Sequence, residues 1–246
     1  MNPITKKFGN LITKSFSFTR PANTTAYTAK DAVNVGFTVS AASNASPIEI
    51  TTSEVHGLSN GDYVTISDVG GNTNANGSFF VKFVSTTKFT LYSDKSLTTP
   101  VAGNDDYTSG GAIAVCFRLK GIFEDCAGSG FLVKLLAFTS LTTFTDQFRI
   151  HLFSQPVAAI LDNAAFTVLI ANKLKYLGYV DITAFAVSGT GSDAAHSLTV
   201  PAAPLAVGNE ETGGEETDLW FLIEDLSAGT PASGQTFTLL ATVDQN

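Results

Sequence analysis

The residue types that most often carry chemistry are few and scattered in this chain. Three histidines, His56, His151 and His196, and two cysteines, Cys116 and Cys126, make up the whole stock of imidazole and thiol. A metal site needs several such ligands converging on one point. Two cysteines with no histidine beside them do not supply that. Their default is a pair of reduced, buried thiols, although spacing alone also permits a disulfide. Gly189-Thr190-Gly191-Ser192-Asp193-Ala194 matches a dinucleotide fingerprint. That fingerprint works only where a strand precedes it and a helix N-terminus follows to hold the pyrophosphate. Here His196-Ser197-Leu198-Thr199-Val200-Pro201 follows, strand-like and then broken by proline, so a glycine-rich loop is expected. Ser192, Asp193 and His196 lie close in sequence, but a catalytic triad is defined by geometry between distant elements. Gly128-Ser129-Gly130 lacks the frame of a nucleophile elbow. The acids Glu210, Glu211, Glu215, Glu216 and Asp218 surround Gly213-Gly214, without the spacing of an EF-hand. A solvated loop is the first reading of them and a cation loop the second. No catalytic residue, cofactor or metal is expected from these patterns.

The composition points the same way. The 246 residues carry 14 Lys and Arg against 22 Asp and Glu, a net charge of −8. Nucleic-acid binding is disfavoured, because neutralising phosphates needs a basic surface. No run approaches the roughly 18 apolar residues of a membrane span. The opening Met1-Asn2-Pro3 has no signal-peptide pattern, so assembly in a cytoplasm is expected. With 44% hydrophobic and 15% charged residues the chain has enough apolar surface for a large core. Its 31 Thr and 19 Phe favour strands. Charge is uneven along the chain. Residues 1–30 hold Lys6, Lys7, Lys14, Arg20 and Lys30 with no acid, while 176–246 hold ten acids and no base. Such ends attract each other or a neighbouring subunit, or else form solvated faces.

The elements that would position these residues read as strands. Ser15 to Arg20 (S-F-S-F-T-R), Gln147 to Phe153 (Q-F-R-I-H-L-F) and Thr236 to Val243 alternate apolar and polar residues. In the second, Arg149 and His151 share the face opposite Phe148, Ile150 and Leu152, which suggests a sheet-surface or interface histidine. Apolar runs at 112–119, 131–138 and 219–223 suggest strands buried on both faces. One short helix is predicted near 164–174. Phe166, Leu169, Ile170, Leu174 and Leu177 fall at helical spacing there, Asp162 or Asn163 can serve as N-cap, and Gly178 can stop it. Residues 40–114 differ in texture. They are rich in Asn, Gly, Ser and Thr and hold short strands near 47–52, 62–67, 78–84, 88–93 and 111–115, enough for a small barrel. The expected fold is therefore all-β. A β-sandwich or jelly roll is made of 15–39 and 115–246, a small β-barrel domain is inserted at 40–114, and a basic arm covers 1–14.

Particular runs carry a resemblance. His56 to Ser67 (H-G-L-S-N-G-D-Y-V-T-I-S), Gly70 to Thr73, Asn76 to Phe79 and Thr87 to Leu91 resemble a module of tailed-phage structural proteins. That module is described as similar to the first catalytic-cysteine half-domain of ubiquitin-activating enzymes. No cysteine lies in 40–114, so no thiol chemistry follows. Thr19 to Tyr27, Phe148 to Phe153, Asp162 to Phe166, Lys175 to Tyr179 and Thr230 to Gln235 resemble a family of tailed-phage virion proteins. Together with the insert, the likeness covers most of 15–243. It implies a non-enzymatic head decoration (cement) protein in the virion, bridging capsomers and binding the major capsid protein and itself as a homotrimer. No nucleic-acid or membrane partner is implied. The charge split makes Lys6, Lys7, Lys14 and Arg20 the expected contacts to capsid or subunit. A tail or fibre component whose barrel binds a host receptor or glycan is the alternative.

Overall fold

The structure, a computed structural model, describes residues 10–123, 129–140, 146–167, 170–183, 186–187, 195–199, 205–208 and 217–245. Within them the chain is almost wholly strand and loop. The strands are β1 (Asn10–Thr19), β2 (Ala32–Val33), β3 (Phe37–Ala42), β4 (Glu49–Thr52), β5 (Tyr63–Gly70), β6 (Gly77–Ser85), β7 (Lys88–Tyr92) and β8 (Ser109–Leu119). They continue with β9 (Ser129–Thr139), β10 (Phe148–Phe153), β11 (Tyr176–Ile182), β12 (Ala186–Val187), β13 (Ala195–Thr199), β14 (Leu205–Gly208), β15 (Leu219–Asp225) and β16 (Thr236–Gln245).

One sheet runs β1-β16-β9-β13-β12, with β14 also on β9. The other runs β11-β10-β15-β8-β3-β4-β7-β6-β5, and β5 returns to pair with β8. That return closes β8-β3-β4-β7-β6-β5 into a barrel of six strands, filled by Ile50, Val64, Ile66, Val81, Phe89 and Leu91. Closure removes sheet edges, which suits short strands separated by glycine turns. The positions 39/40 and 114/115 fall inside β3 and β8. The barrel is thus continuous with the larger sheet through β8, which pairs with β5 and β3 in the barrel and with β15 outside it.

The two sheets share one apolar core. Phe16 and Phe18 of β1 reach Phe117 of β8 at ring-centroid distances of 5.1 and 4.6 Å, and Phe148 of β10 meets Phe237 of β16 edge-on at 5.2 Å. All seven residues of β15 are buried. Leu219, Phe221 and Ile223 face this core, while Trp220 and Leu222 join Cys116, Phe153, Val157 and Ala159 in a second one. The run at 131–138 behaves differently from the expectation of burial on both faces. A bulge between the Leu132 and Lys134 pairs with β16 leaves Val133 without a register partner. Inward residues are therefore Leu132, Leu135 and Ala137, and Phe131 stays 36% exposed.

The predicted helix at 164–174 is not formed in the described part of that segment. Asn163 has φ +60°, Ala165 bridges to Asp31, and the Phe166 N–H donates to the Lys30 carbonyl at 2.7 Å. A 3-10 turn at Ile170–Asn172 is the helical element described in that segment. Tertiary pairing with residues 30–32 overrides the local spacing. Asp162, read as an N-cap, accepts instead from Arg20 Nη2 at 2.7 Å, Tyr27 Oη at 2.8 Å and the Asn34 N–H at 2.9 Å. Asn34 passes the connection on. Its side-chain amide donates to the Val115 carbonyl and accepts from the Val115 N–H, both at 3.0 Å. Val115 lies where β3 has left β8 and β15 has not yet begun, so one side chain stands in for a strand.

Asn34→Ala leaves two buried backbone groups of Val115 unpaired, for an expected loss of about 2–5 kcal/mol in urea denaturation. Asp162→Ala strands the buried Arg20 guanidinium, for about 3–5 kcal/mol. The double variant should lose less than the sum, because the two residues belong to one network. Additive losses would show that they act separately.

Candidate functional site

The described residues form a groove of about 510 Å³ between β1 and the barrel. One wall is Ser15 to Thr19 of β1; the other is Val55 to Ser59, with Phe37 beside it. Val115 and Phe117 of β8 lie at its base, and Asp62, Arg118 and Lys120 stand at one end.

The wall from 55 to 62 shows why its sequence reads H-G-L-S-N-G-D. Gly57 and Gly61 have φ of +64° and +78°, which favour glycine. The His56 ring accepts the Leu58 N–H on Nδ1 at 2.9 Å and faces the Ser85 carbonyl through Nε2 at 2.9 Å. The ring is therefore neutral, with its proton on Nε2. Asn60 Oδ1 accepts the Phe83 N–H at 2.8 Å, and Asp62 Oδ2 accepts the Ser59 N–H at 2.7 Å. The side chains of His56, Asn60 and Asp62 thus fix the turn. Burial pulls the His56 pKa below its ordinary value, against the hydrogen bonds to Lys88 and Ser85 carbonyls.

At the end of the groove Arg118 is fully engaged. Its Nε donates to Asp62 at 2.8 Å, Nη1 to Asp218 at 2.9 Å and Nη2 to the Asn60 carbonyl at 2.7 Å, and its plane lies 5.5 Å from the Trp220 ring. Burial opposes ionisation of Asp218, but the Gly121 N–H together with Lys95 and Arg118 holds its pKa below the usual carboxylate range. Lys120 approaches Asp62 at 3.1 Å with its side chain 48% exposed. The arrangement can hold a turn and a strand end together, and it leaves Lys120 as the accessible cation.

A second polar cluster covers the outer face of β10. His151 Nε2 contacts Glu224 at 2.9 Å and Nδ1 contacts the Tyr176 hydroxyl at 3.1 Å, while Phe166 stacks on the ring at 4.5 Å. Burial lowers the His151 pKa, against the Glu224 hydrogen bond and charge. Beside it Arg149 donates to both oxygens of Asp181 and lies 3.9 Å from the Tyr179 ring. The histidine read as a sheet-surface or interface residue is covered within the chain itself. A third group was not legible in sequence: Asp225 is fully buried, with Oδ1 accepting from Ser227 and Ala228 N–H and Oδ2 unpartnered. Burial pushes its pKa up to about 6, helped by the charges of Asp146 and Asp31.

Of the expected contact residues, Lys6 and Lys7 lie outside the described residues. Lys14 is partly exposed on β1 opposite Ala241. Arg20 is 2% exposed and turned inward to Asp162, stacked on Tyr27 at 4.6 Å, so its charge serves the fold and not an outer contact. Cys116 is a free, buried thiol with its pKa pushed up to about 12, and Cys126 lies outside the described residues. The glycine fingerprint, the Ser192-Asp193 pair and the acids 210–216 also lie outside them; of His196 only the β13 backbone is described. Among the described residues no group of three His, Cys, Asp or Glu is placed to hold a metal ion.

No family model matches the chain, and no curated protein matches it. Among solved structures the chain is similar to the VP2 subviral particle of infectious bursal disease virus. The match has 11% identity over 96% of this chain and 72% of that one, at a TM-score of 0.23. A likeness at that score carries no argument about fold or function.

His56 and Asp225 give opposite pH signs. The depressed His56 pKa supplies stability that is present above about pH 6.5 and is lost as the pH falls through the folded value. The raised Asp225 pKa supplies stability that is present below the ordinary Asp value and is lost as the pH rises through about 6. Asp225→Asn keeps the acceptor for Ser227 and Ala228 and removes the charge. Its thermal midpoint should exceed that of the parent by roughly 2–6 °C at pH 8. The gain should shrink toward pH 4; a gain independent of pH would refute the assignment.

Proposed function

We propose that this chain is a structural protein of a virion, and within that class a non-enzymatic decoration protein on a tailed-phage head. The observation that carries the structural class is where the charge is spent. Arg20–Asp162, Arg118–Asp62–Asp218 and Arg149–Asp181 all join one segment of the fold to another, and the His151–Glu224 hydrogen bond does the same. Pairs of this kind add conformational definition more than net stability, which suits a body that must keep its shape under load. The two facing sheets read as a sandwich with the barrel standing on it. The phage assignment rests on the resemblance of the runs at 19–27, 56–67, 148–153, 162–166 and 175–179.

In this role each copy contacts the major capsid protein and its own neighbours in a trimer, with several modest contacts acting together. Lys6, Lys7 and Lys14 would supply the basic side of those contacts; Arg20 is already committed inside the fold. The chain would assemble in the host cytoplasm.

The deciding measurement is the copy number per particle, by quantitative mass spectrometry against the major capsid protein. Hundreds of copies, on the order that icosahedral symmetry requires, support the head assignment. About a dozen or fewer overturn it in favour of a tail or fibre component with the barrel toward the host. Deleting residues 2–9 tests the basic segment without entering β1. Occupancy should fall and lose part of its salt dependence, and unchanged occupancy would remove Lys6 and Lys7 from the contact.

A further inference from the structure

At the C-terminal end of β15 three carboxylates share one face of the sheet. Asp225, the last residue of β15, lies opposite Phe148 of β10. On its other side the ladder with β2 continues past Glu224–Ala32, and the Asp225 N–H donates to the Asp31 carbonyl at 2.8 Å. Toward β10 the Leu226 N–H donates to the Gln147 carbonyl at 2.8 Å, which puts Asp146 across from Ser227. Strand alternation then gives Asp31, Asp146 and Asp225 the face that carries Val33, Phe148 and Ile223 into the core. Like charges in neighbouring positions of a sheet oppose one another. Among the described residues no lysine or arginine pairs with any of the three. Asp225 is fully buried, with Oδ1 accepting from the Ser227 and Ala228 N–H, and the charges of Asp146 and Asp31 both act on it. Asp146 lies directly against the same turn, since a Cβ on Gly229 would overlap its carboxylate. The two remaining oxygens, Oδ2 of Asp146 and Oδ2 of Asp225, are buried and accept from no group.

We infer that Asp146 and Asp225 hold a calcium ion through these two oxygens, with main-chain carbonyls and water completing its shell. A buried carboxylate oxygen with no donor costs free energy that a cation removes, and two carboxylates balance one divalent charge. The donors are oxygens only, with no imidazole or thiol beside them, which selects a hard cation over zinc or copper. Calcium accepts an irregular shell of six to eight oxygens, whereas magnesium demands a near-ideal octahedron. Two carboxylates carried on different strand ends suit the first. Asp31 contributes charge and not a ligand. Its Oδ2 is taken by the Thr28 N–H at 2.6 Å, and the three acids do not converge as a three-carboxylate centre. The ion would fasten the start of β10 to the turn after β15, where the Gly229 carbonyl also holds the Tyr27 N–H at 2.9 Å.

The inference stands apart from the virion reading, and a low copy number would not touch it. The test titrates calcium chloride into the full-length, chelator-treated protein at pH 7.5, by calorimetry and by thermal unfolding at fixed ionic strength. One ion per chain should bind, and the thermal midpoint should rise by about 5–10 °C at a hundredfold excess over Kd. Asp146→Asn and Asp225→Asn should each weaken binding at least tenfold and remove the rise. In chelator Asp225→Asn should be at least as stable as the parent, so its loss of response does not come from misfolding. Asp105→Asn with Asp106→Asn, at exposed sites elsewhere, should leave the response intact. No rise beyond that of sodium chloride overturns the proposal, as does a rise that survives either of the first two substitutions. An equal rise with magnesium chloride overturns the choice of calcium.

Discussion

The fold depends on how the Val115 N–H and C=O are satisfied halfway along β8. On one side β8 is bonded to β5 from Ser109 to Cys116. On the other it needs a partner between Ile113, where its pairing with β3 ends, and Phe117, where its pairing with β15 begins. A buried, unpaired peptide there would oppose the continuity of barrel and sheet. Asn34 fills the gap with its side-chain amide, and its own N–H is held by Asp162, which also holds Arg20 and Tyr27. Two distant segments, residues 20–34 and Asp162, are thereby tied to one point of one strand. Burial, then the neighbouring Asp162 charge, raises the Tyr27 pKa, so its hydroxyl remains a donor to that carboxylate.

Charge in the C-terminal third follows the same logic. Asp181 and Asp218 are matched by Arg149 and by Arg118 with Lys95, and Glu224 is hydrogen-bonded to His151, all from the middle of the chain. Of the basic N-terminal residues, Arg20 reaches Asp162 in the middle of the chain. The two ends do meet, but through main-chain pairing. Asn10 lies opposite Gln245, and the hydroxyls of Thr13, Ser17 and Thr19 face those of Thr242, Thr238 and Thr236. This accounts for part of the threonine content. A sheet face can be polar through hydroxyl pairs without carrying charge.

Strands were legible wherever one face is wet, because alternation then records the fold directly, as in β1 and β16; β10 was legible from its residue types although both its faces are covered. The barrel was legible through its turns, although β3 escaped notice as its sixth strand. Arg20 was misread despite a usable signal. It has the same parity as Phe16 and Phe18, so period-two counting aims it inward with them. The 164–174 spacing failed for the opposite reason. Phe166 is placed by His151 and by the Lys30 carbonyl, neither of which leaves a trace near it in sequence. Asn34 and Asp225 gave no signal, since a lone Asn or Asp acquires its role only from what tertiary packing brings beside it. The groove was half legible. Its turn could be read from Gly57, Asn60 and Gly61, but the wall opposite comes from residues some forty positions earlier.

Sequence distance has a consequence for how such a body reaches its folded state. The first and last described strands are neighbours, and β16 bridges β1 to β9. Phe16 and Phe18 cannot be covered by their own sheet until the C-terminal strand is present, and Phe237 packs on both Phe18 and Phe148. The barrel, by contrast, has its six strands within Phe37–Leu119, so its closing pairs span shorter stretches of chain than the β1–β16 pair. Non-local pairing is slow because loop closure precedes the contacts that reward it. By that measure the order to expect is the barrel with its part of β8, then Asn34 and β15, and last β1 and β16 over Phe117 and Phe221.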